Sequence, residues 1–332
     1  APLAVASAAT QQQLDASISA ISQVIDRAAP DLVESLCRGA AYTRDHSVNL
    51  RAARPLTYCD KTRRWELGDV VTGGKDDPVT SIGFLFPGQG AEFAQMGAQL
   101  YGTHLAFTAA IDRVDAILGH SPGDRVRDWI TSADESALGD TRSVQIAVFA
   151  VEYALTETLR YFGITPTVVI GHSVGEFAAA VAASMITLDE ALSILVARAD
   201  AMESQVPPGG MLAVSAGSAA VSQAVESIAG TVISAINSPD DCVISGTDAQ
   251  LDQVAATLTA AGIGTRRLRS KRAFHSSAVE PVSQVLRARP DGLTDSDTVT
   301  MICNVTGRGY RPDDFDGTSY WAEQVRSPVL FA

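Results

Sequence analysis

The sequence Thr167-Val-Val-Ile-Gly-His-Ser-Val-Gly-Glu176 decides the fold, and an apolar helical run continues from it to Ser184. Residues 167–170 are all β-branched, which is typical of a strand buried on both faces. Gly171-x-Ser173-x-Gly175 then matches the nucleophile-elbow pattern, whose glycines permit a sharp turn that lifts a serine hydroxyl clear of the sheet. Strand, turn and helix in this order predict an α/β fold with Ser173 as the nucleophile.

A second strand of the same sheet is predicted upstream of the elbow. Ser81-Ile-Gly-Phe-Leu-Phe86 is apolar and ends at Pro87-Gly88, and helical stretches follow to about residue 162. Apolar runs that alternate with helices are typical of a parallel sheet with helices on its faces. We therefore expect a large α/β-hydrolase-like subdomain with a parallel sheet over residues 78–205 and 271–332.

Residues 206–270 have a separate pattern, which interrupts the large subdomain. The order strand, helix, strand, strand, helix, strand predicts a ferredoxin-like small subdomain. Its expected elements are Met211–Ser215, Ala219–Ile228, Val232–Ile236, Val243–Ser245 after a turn at Asn237–Asp241, Asp248–Ala261 and Gly264–Leu268.

Residues 1–77 predict a small α+β domain without a reactive constellation. An apolar run at Pro2–Ser7 precedes a helix that Thr10 can cap, and Leu14, Ile18, Ile21 and Ile25 share one face of that helix. Further expectations are a short helix at Asp31–Tyr42, an extended run at Val48–Ala53 and a surface connection at Gly68–Asp77.

Composition excludes several classes of protein. The 332 residues are 46% hydrophobic and 19% charged, so the chain is too apolar to be disordered. A net charge of −13 disfavours nucleic acid as a partner. No apolar run is long enough to span a bilayer, and the first residues lack the basic region of a signal peptide. The four cysteines are scattered and histidines number only five, so we expect no metal site and a cytoplasmic protein.

A serine nucleophile needs a base, and His275 is the best candidate. It lies 102 residues after Ser173, where the chain returns to the large subdomain. His172 adjoins the serine but is expected to point away from it, into packing or a structural hydrogen bond. The alternative for His275 is a packed core histidine. His46 lies in the first block, and His104 and His120 lie in polar helical surroundings.

Two further positions carry polar groups toward the predicted site. Gln89, flanked by Gly88 and Gly90 at the end of a strand, can donate its backbone amide to an oxyanion. A dinucleotide-binding loop is disfavoured because the third glycine position is Phe93. Arg198 interrupts an apolar helical stretch, so it is either a surface-reaching side chain or a fork for a carboxylate.

Four motifs occur together in the order of one known family. They are Phe86-Pro-Gly-Gln-Gly90, Gly171-His-Ser-Val-Gly-Glu176 with Arg198, Ala273-Phe-His-Ser276, and Tyr320-Trp321 followed by Arg326-Ser-Pro-Val329. This set resembles the malonyl-CoA:acyl carrier protein transacylases, and most closely the acyltransferase domains of polyketide synthases. Residues 1–77 are similar to the linker that joins ketosynthase and acyltransferase in such synthases. Family domains continue past the last motif, so the resemblance implies an excised part of a longer chain.

The resemblance assigns a role to each position. It implies Ser173 as nucleophile, His275 as its base, and the backbone amides of Gln89 and Val174 as the oxyanion hole. Arg198 would hold the free carboxylate of a malonyl-type unit, and the backbone carbonyl at Gln324 would orient the histidine. The implied substrate is malonyl-CoA, the partners are an acyl carrier protein with its phosphopantetheine thiol and an adjacent ketosynthase domain, and no bound cofactor is needed.

The resemblance also bears on the extender unit. Phe274, and Val174 after the nucleophile, are similar to malonyl-selective members, because a bulky Phe leaves no room for an α-methyl group. Such steric discrimination is worth about 1–3 kcal/mol. Malonyl-selective members usually have His where this chain has Arg272. Malonyl is therefore expected to be favoured over methylmalonyl.

Two other classes are compatible with parts of the pattern. A serine hydrolase of the α/β or patatin type shares the elbow but needs an acidic partner for its histidine. The acids between Ser173 and His275 that would be available are Asp189, Asp200, Asp240 and Asp241. A catalytically dead scaffold would need Ser173 or His275 to be missing or displaced.

Overall fold

The computed structural model describes residues 3–8, 10–33, 35–37, 50–59, 62, 64–74, 81–119, 121, 124–290, 292–315 and 319–332. The chain divides into two compact units, Ala1–Thr80 and Ser81–Ala332. Each has its own buried core.

In the first unit, a long helix packs on an antiparallel sheet. Strands β1 (Leu3–Ala8), β2 (Leu50–Cys59) and β3 (Arg64–Leu67) are adjacent in that order, and β4 (Val71–Gly74) also pairs with β2. Helix α1 (Gln11–Arg27) starts at the Thr10 cap, whose side chain accepts from the Gln13 N–H. It buries Leu14, Ile18 and Ile25, as its apolar period predicts.

The structure corrects the expectation for residues 68–77. Val71–Gly74 form a strand that pairs with Leu50–Ala53. The glycines suggested a loop, but an adjacent strand supplied hydrogen-bond partners, and sheet pairing overrides local propensity. The helix expected at Asp31–Tyr42 begins as a 3-10 turn at Pro30–Leu32. Residues 38–42, 48–49 and 75–77 lie outside the described residues.

A four-stranded sheet of the second unit carries the elbow. Its order is β12-β11-β6-β5, formed by β5 (Gly83–Phe86), β6 (Val168–Gly171), β11 (Thr300–Cys303) and β12 (Arg308–Gly309). Strands β5, β6 and β11 are parallel, with Phe86 opposite Gly171. Strand β12 is antiparallel to β11, so this sheet is mixed rather than wholly parallel.

Helices of the second unit bury their apolar faces in one large core with this sheet. They are α2 (Leu105–Leu118), α3 (Val126–Thr131), α4 (Thr141–Tyr161), α5 (Gly175–Ala182), α6 (Leu188–Gln205), α9 (Glu280–Arg287) and α10 (Tyr320–Gln324). Every residue of α5 is buried, as its run of Ala, Val and Phe predicts.

A second sheet has the order β10-β7-β9-β8-β13. It comprises β7 (Gly210–Val214), β8 (Val232–Ser238), β9 (Asp241–Gly246), β10 (Thr265–Arg267) and β13 (Val329–Leu330), with helices α7 (Ser218–Ser227) and α8 (Asp248–Ala260). The turn between β8 and β9 is shorter than expected, because β8 extends to Ser238 and β9 begins at Asp241. Strand β13, which pairs in parallel with β8, was not expected from the sequence.

Candidate active site

The elbow between β6 and α5 holds Ser173 in the left-handed region, with φ of 52°. Both glycines of the motif are sterically required. A Cβ at Gly171 would lie 2.2 Å from the Glu176 nitrogen, and one at Gly175 would lie 2.4 Å from the Phe86 carbonyl oxygen. The motif therefore brings strand, turn and helix closer together than any larger residue allows.

His275 lies directly beside the serine. Ser173 Oγ and His275 Nε2 are 2.7 Å apart, and His275 Nδ1 is 2.9 Å from the Ser327 carbonyl oxygen. Because a carbonyl only accepts, Nδ1 carries the proton and Nε2 is free to accept from the serine hydroxyl. Burial, the Arg198 charge and the nearby His172 lower the pKa of His275 to about 3, so the ring is neutral at physiological pH. The geometry is that of a nucleophile and its general base.

Gln324 has a different place from the one expected. His275 Nδ1 donates to the Ser327 carbonyl oxygen, while the Gln324 carbonyl is close enough to raise the pKa of His275. The side chain of Gln324 instead donates to the Ser173 carbonyl oxygen at 2.8 Å. The Gln324 carbonyl lies at the end of α10, where backbone acceptors lack an intrahelical donor. Ser327 follows three residues later, and its carbonyl accepts from the imidazole.

Arg198 extends from α6 into the site, and its side chain is 1% exposed. Its Nη1 donates to Gln145 Oε1 at 2.5 Å, and its Nη2 lies 3.4 Å from Ser173 Oγ. Within the described chain, no carboxylate lies within 4 Å of the guanidinium, and Nε has no hydrogen-bond acceptor. Burial lowers the pKa of Arg198 to about 10, which leaves it charged at neutral pH. The surface-reaching alternative is thus wrong, and the site has a buried cation suited to an anion.

Val174 and Gln89 lie in adjacent loops. Val174 is buried at the start of α5, where the first amides of a helix lack intrahelical acceptors. Gln89 follows β5, which is the neighbour of β6 in the sheet. Its side-chain oxygen lies 3.2 Å from Gln145 Nε2, so Gln145 connects Gln89 to Arg198.

Phe274 and Arg272 precede the base. Phe274 is buried, and its carbonyl oxygen accepts from Ser245 Oγ at 2.7 Å. Arg272 directs its guanidinium to the end of α6, with contacts to the Met202 and Glu203 carbonyl oxygens at 3.5 and 3.3 Å. The Glu203 carboxylate lies 3.8 Å away. The Arg272 charge therefore caps a helix C-terminus.

The other described histidines make their contacts with residues other than Ser173. His172 Nε2 is 2.9 Å from Asn237 Oδ1, and its ring packs on Phe331, as expected for a structural histidine. His104 packs on the rings of Tyr161 and Phe162, so its surroundings are aromatic rather than polar. His46 and His120 lie outside the described residues.

A hydrolase triad would need an aspartate beside His275, and the structure places none of the candidate acids in hydrogen-bond contact with its ring. Asp200 pairs with Arg142 at 2.8 Å, and Asp241 accepts from Asn237 at 2.6 Å. The partner of His275 Nδ1 is a backbone carbonyl. Orientation of the base by a carbonyl rather than an aspartate disfavours a Ser-His-Asp hydrolase.

Four buried residues with polar groups around the elbow were given no role from the sequence: Gln145, Glu176, Asn304 and Tyr320. Glu176 Oε1 accepts from the Asn304 N–H and the Tyr320 hydroxyl, at 2.8 and 2.6 Å. Burial raises the pKa of Glu176 to about 7. The signal for Glu176 was a lone carboxylate in an otherwise apolar helix, since such a group needs partners when it is buried.

Neither a metal centre nor a membrane-spanning helix is found among the described residues. No group of three or more His, Cys, Asp or Glu side chains there is arranged to hold a metal ion. None of the helices described combines the length and apolarity that crossing a bilayer requires.

The second unit is an α/β fold that places a Ser-His pair after strand β6, and the family follows from comparison. A family model described as an acyl transferase domain matches residues 83–332. The chain belongs to this family, and it is an acyltransferase.

Its relatives are large synthases. It is 38% identical over 268 residues to the putative inactive phenolphthiocerol synthesis polyketide synthase type I Pks1 of Mycobacterium tuberculosis, a match over 80% of this chain and 16% of that protein. It is 33% identical over 280 residues to the mycoketide-CoA synthase of the same organism, over 84% of this chain. The chain spans 7% of that synthase.

Solved structures agree with this assignment. The acyltransferase domain from the second module of the salinomycin polyketide synthase is 30% identical, with a TM-score of 0.73, over 98% of this chain and 77% of that one. The malonyl CoA-acyl carrier protein transacylase from Clostridium perfringens is 25% identical, with a TM-score of 0.68, over 76% of this chain and 80% of that one. The chain is thus a polyketide synthase acyltransferase domain, similar to the transacylases.

Proposed function

We propose that this domain moves a malonyl unit from coenzyme A to the phosphopantetheine thiol of an acyl carrier protein, through an acyl-serine at Ser173. One observation carries the proposal: a buried arginine without a carboxylate partner in the described chain lies 3.4 Å from a serine that is hydrogen-bonded to a neutral histidine. A nucleophile beside a buried cation that makes no ion pair in the described chain suits an acyl group that has its own carboxylate.

The first half-reaction forms the acyl-enzyme. Ser173 Oγ attacks the thioester carbonyl as His275 Nε2 takes its proton, and the oxyanion accepts hydrogen bonds from the Gln89 and Val174 amides. The carbon–sulfur bond then breaks, and the imidazolium returns its proton to the coenzyme A thiolate. In the second half-reaction the carrier thiol follows the same path in reverse, which gives ping-pong kinetics.

Arg198 would select the acyl class. Its guanidinium would pair with the malonyl carboxylate, whereas an acetyl group would leave the buried cation without an anion. The carboxylate would also reduce the positive charge that lowers the pKa of His275, and so make the histidine a stronger base in the substrate complex.

Phe274 and Val174 would exclude an α-methyl group by their bulk, so malonyl would be favoured over methylmalonyl. Both side chains are buried. Arg272 would act on this selectivity through the loop it anchors to the end of α6, because its guanidinium contacts that helix end.

The other parts of the chain fit a place in a synthase. Residues 1–77 would form the linker to a ketosynthase domain, and residues 206–270 a ferredoxin-like subdomain inserted into the catalytic one. The order β10-β7-β9-β8 with two helices supports the latter. The carrier protein would supply the acceptor thiol, and no bound cofactor would be needed.

Intact-protein mass after mixing with malonyl-CoA tests the reaction. We expect a malonyl adduct on the chain that persists without a carrier thiol and is absent from Ser173→Ala. Rapid release of malonate without an adduct would indicate a hydrolase instead. An adduct of equal yield on Ser173→Ala would mean that another residue is the nucleophile.

A further inference from the structure

The backbone of Ser173 is held on both sides by side chains from distant parts of the chain. Asn304 Oδ1 accepts from the Ser173 N–H at 2.7 Å, and Gln324 Nε2 donates to the Ser173 carbonyl oxygen at 2.8 Å. The two residues follow Ser173 by 131 and 151 positions, and each is 1% exposed. We refer to Asn304 and Gln324 as the elbow clamp.

The clamp acts on a conformation that serine does not adopt readily. A φ of 52° places Ser173 in the left-handed region, which is unfavourable for residues with a Cβ. Such a conformation persists where the surroundings determine it. Hydrogen bonds to the N–H and to the carbonyl oxygen of Ser173 fix the orientation of its backbone. They thereby fix the direction of its side chain.

Other buried groups hold the clamp itself. Asn304 Nδ2 donates to the Gly171 carbonyl oxygen at 2.7 Å, and the Asn304 N–H donates to Glu176 Oε1 at 2.8 Å. Glu176 also accepts from the Tyr320 hydroxyl at 2.6 Å. Strand β6, the first turn of α5, the end of β11 and helix α10 are thereby tied around the serine.

The same segment also positions the base. Gln324 ends α10, and Ser327, three residues later, accepts from His275 Nδ1. The chain from Gln324 to Ser327 therefore contacts both the nucleophile and the general base. A shift of this segment would change the 2.7 Å separation between Ser173 Oγ and His275 Nε2.

We infer that Asn304 and Gln324 are positioning residues for acyl transfer: they hold Ser173 in its left-handed conformation so that its hydroxyl points at His275. This inference rests on the proposed acyl-serine reaction. Neither side chain needs to touch the acyl group. Their loss should lower the rate of the chemical step and leave thioester binding nearly unchanged.

The test compares Asn304→Ala and Gln324→Leu with Ser283→Ala. Ser283 donates from a buried hydroxyl to the Ala322 carbonyl oxygen at 2.8 Å, so the control removes a hydrogen bond to the same helix α10 without touching the elbow. The readouts are the kcat and KM of malonyl loading and the rate of labelling by a fluorophosphonate. We expect kcat to fall by roughly 100-fold in each clamp variant, whereas KM should stay within about threefold of the value for the unsubstituted chain. Labelling should slow in parallel, and Ser283→Ala should change neither rate.

Equal rates in the clamp variants and Ser283→Ala would overturn the inference, as would a raised KM with an unchanged kcat. If the unsubstituted chain forms no adduct, the proposed reaction fails instead, and the rates do not bear on the clamp. Thermal unfolding then tests whether the clamp holds Ser173 in its left-handed conformation, because this measurement does not depend on catalysis. Ser173→Gly should have a higher Tm than Ser173→Ala in the intact chain, since glycine accepts positive φ. That gap should shrink in the Asn304→Ala background, and an unchanged gap would contradict the inference.

Discussion

Gln145 links the cation and the proposed oxyanion loop, so its substitution should alter acyl preference. Gln145→Leu would leave Arg198 Nη1 without its 2.5 Å partner, and a hydrogen bond to a charged group is worth about 1.5–3 kcal/mol. We expect the kcat/KM for malonyl-CoA to fall by roughly 10- to 100-fold. Gln145→Glu should reduce the preference for malonyl over acetyl further, because its carboxylate would neutralise Arg198.

The control for Gln145 is Thr156→Val, which removes a buried side-chain hydrogen bond to Glu152 O in the same helix. Steady-state loading assays with malonyl-CoA and acetyl-CoA compare the three variants. If the Gln145→Glu protein keeps the full preference for malonyl over acetyl, Arg198 does not select the acyl group by binding the malonyl carboxylate.

Substitution of Phe274 tests whether its side chain excludes the α-methyl group of methylmalonyl. Phe274→Ala should raise the methylmalonyl-to-malonyl ratio of loading by roughly 10- to 100-fold, since a removed steric clash of this kind is worth about 1–3 kcal/mol. Phe274→Tyr keeps the ring and should keep the ratio. Competition between the two thioesters, followed by intact mass, gives both ratios. If the ratios of Ala and Tyr variants match, Phe274 does not exclude the methyl group.

Helix α4 contains a carboxylate that the proposed mechanism does not use. Glu152 is 7% exposed, and neither carboxylate oxygen has a partner in the described chain. Burial raises the pKa of Glu152 well above its ordinary value of 4.5. The unfolded chain therefore loses this proton at lower pH than the native chain, and Glu152 makes unfolding progressively easier as pH rises above about 4.5.

We expect Glu152→Gln to raise Tm at pH 8 and to have little effect at pH 4. The gain in Tm should grow with pH between these values. Folding must keep Glu152 protonated or bury its charge, whereas the amide of Gln does not ionise. Glu157→Gln is the control, since Glu157 lies on the same helix but pairs with Arg160 at 2.7 Å near the surface. A Tm gain at Glu152 that is the same at every pH would refute the burial argument.

The glycines of the elbow connect two elements that nearly touch. Gly175→Ala would put a Cβ 2.4 Å from the Phe86 carbonyl oxygen, which belongs to the neighbouring strand β5. We expect the free energy of unfolding to fall by more than about 3 kcal/mol, because the backbone atoms of β5 that the new Cβ meets cannot move away. Gly264→Ala meets only Ser215 at 3.7 Å and should be nearly neutral in the same urea titration. Similar losses at both positions would mean that the strand–helix approach is looser than described.

At the scale of the whole molecule, the unit Ser81–Ala332 contains every residue of the candidate site. A chain that starts at Ser81 should therefore fold and load malonyl at close to the full-chain rate. Circular dichroism and the loading assay check this expectation. Loss of loading in a folded Ser81–Ala332 protein would show that the first unit contributes to the reaction.

The sequence predicted the parts of this molecule that depend on local rules. The elbow was foreseeable because G-x-S-x-G between a β-branched strand and an apolar helix has few other uses, and helix α1 because Thr10 and its apolar face specify it. Strands β4 and β13 were not foreseeable, since each owes its conformation to a partner strand that local propensity does not reveal.

The candidate site divides in the same way. Ser173 was identified by the elbow pattern and His275 by its place in the chain, whereas the role of Arg198 came from the family resemblance. The structure brings the three together. The hydrogen bond from His275 to Ser327 rather than Gln324 was missed, because one helical turn of displacement is not visible in a sequence. Asn304 and Gln145 were missed because single amides carry no pattern; only the fold aims them at the site.

The most direct test of the central claim is acyl loading with malonyl-CoA and acetyl-CoA in competition, on the unsubstituted chain and on Arg198→Ala, measured by intact-protein mass. We predict a malonyl adduct on the unsubstituted chain that Ser173→Ala lacks, and a shift toward the acetyl adduct in Arg198→Ala. A malonyl preference that survives in Arg198→Ala would contradict the account, because the buried cation beside Ser173 would then have no part in choosing the acyl group.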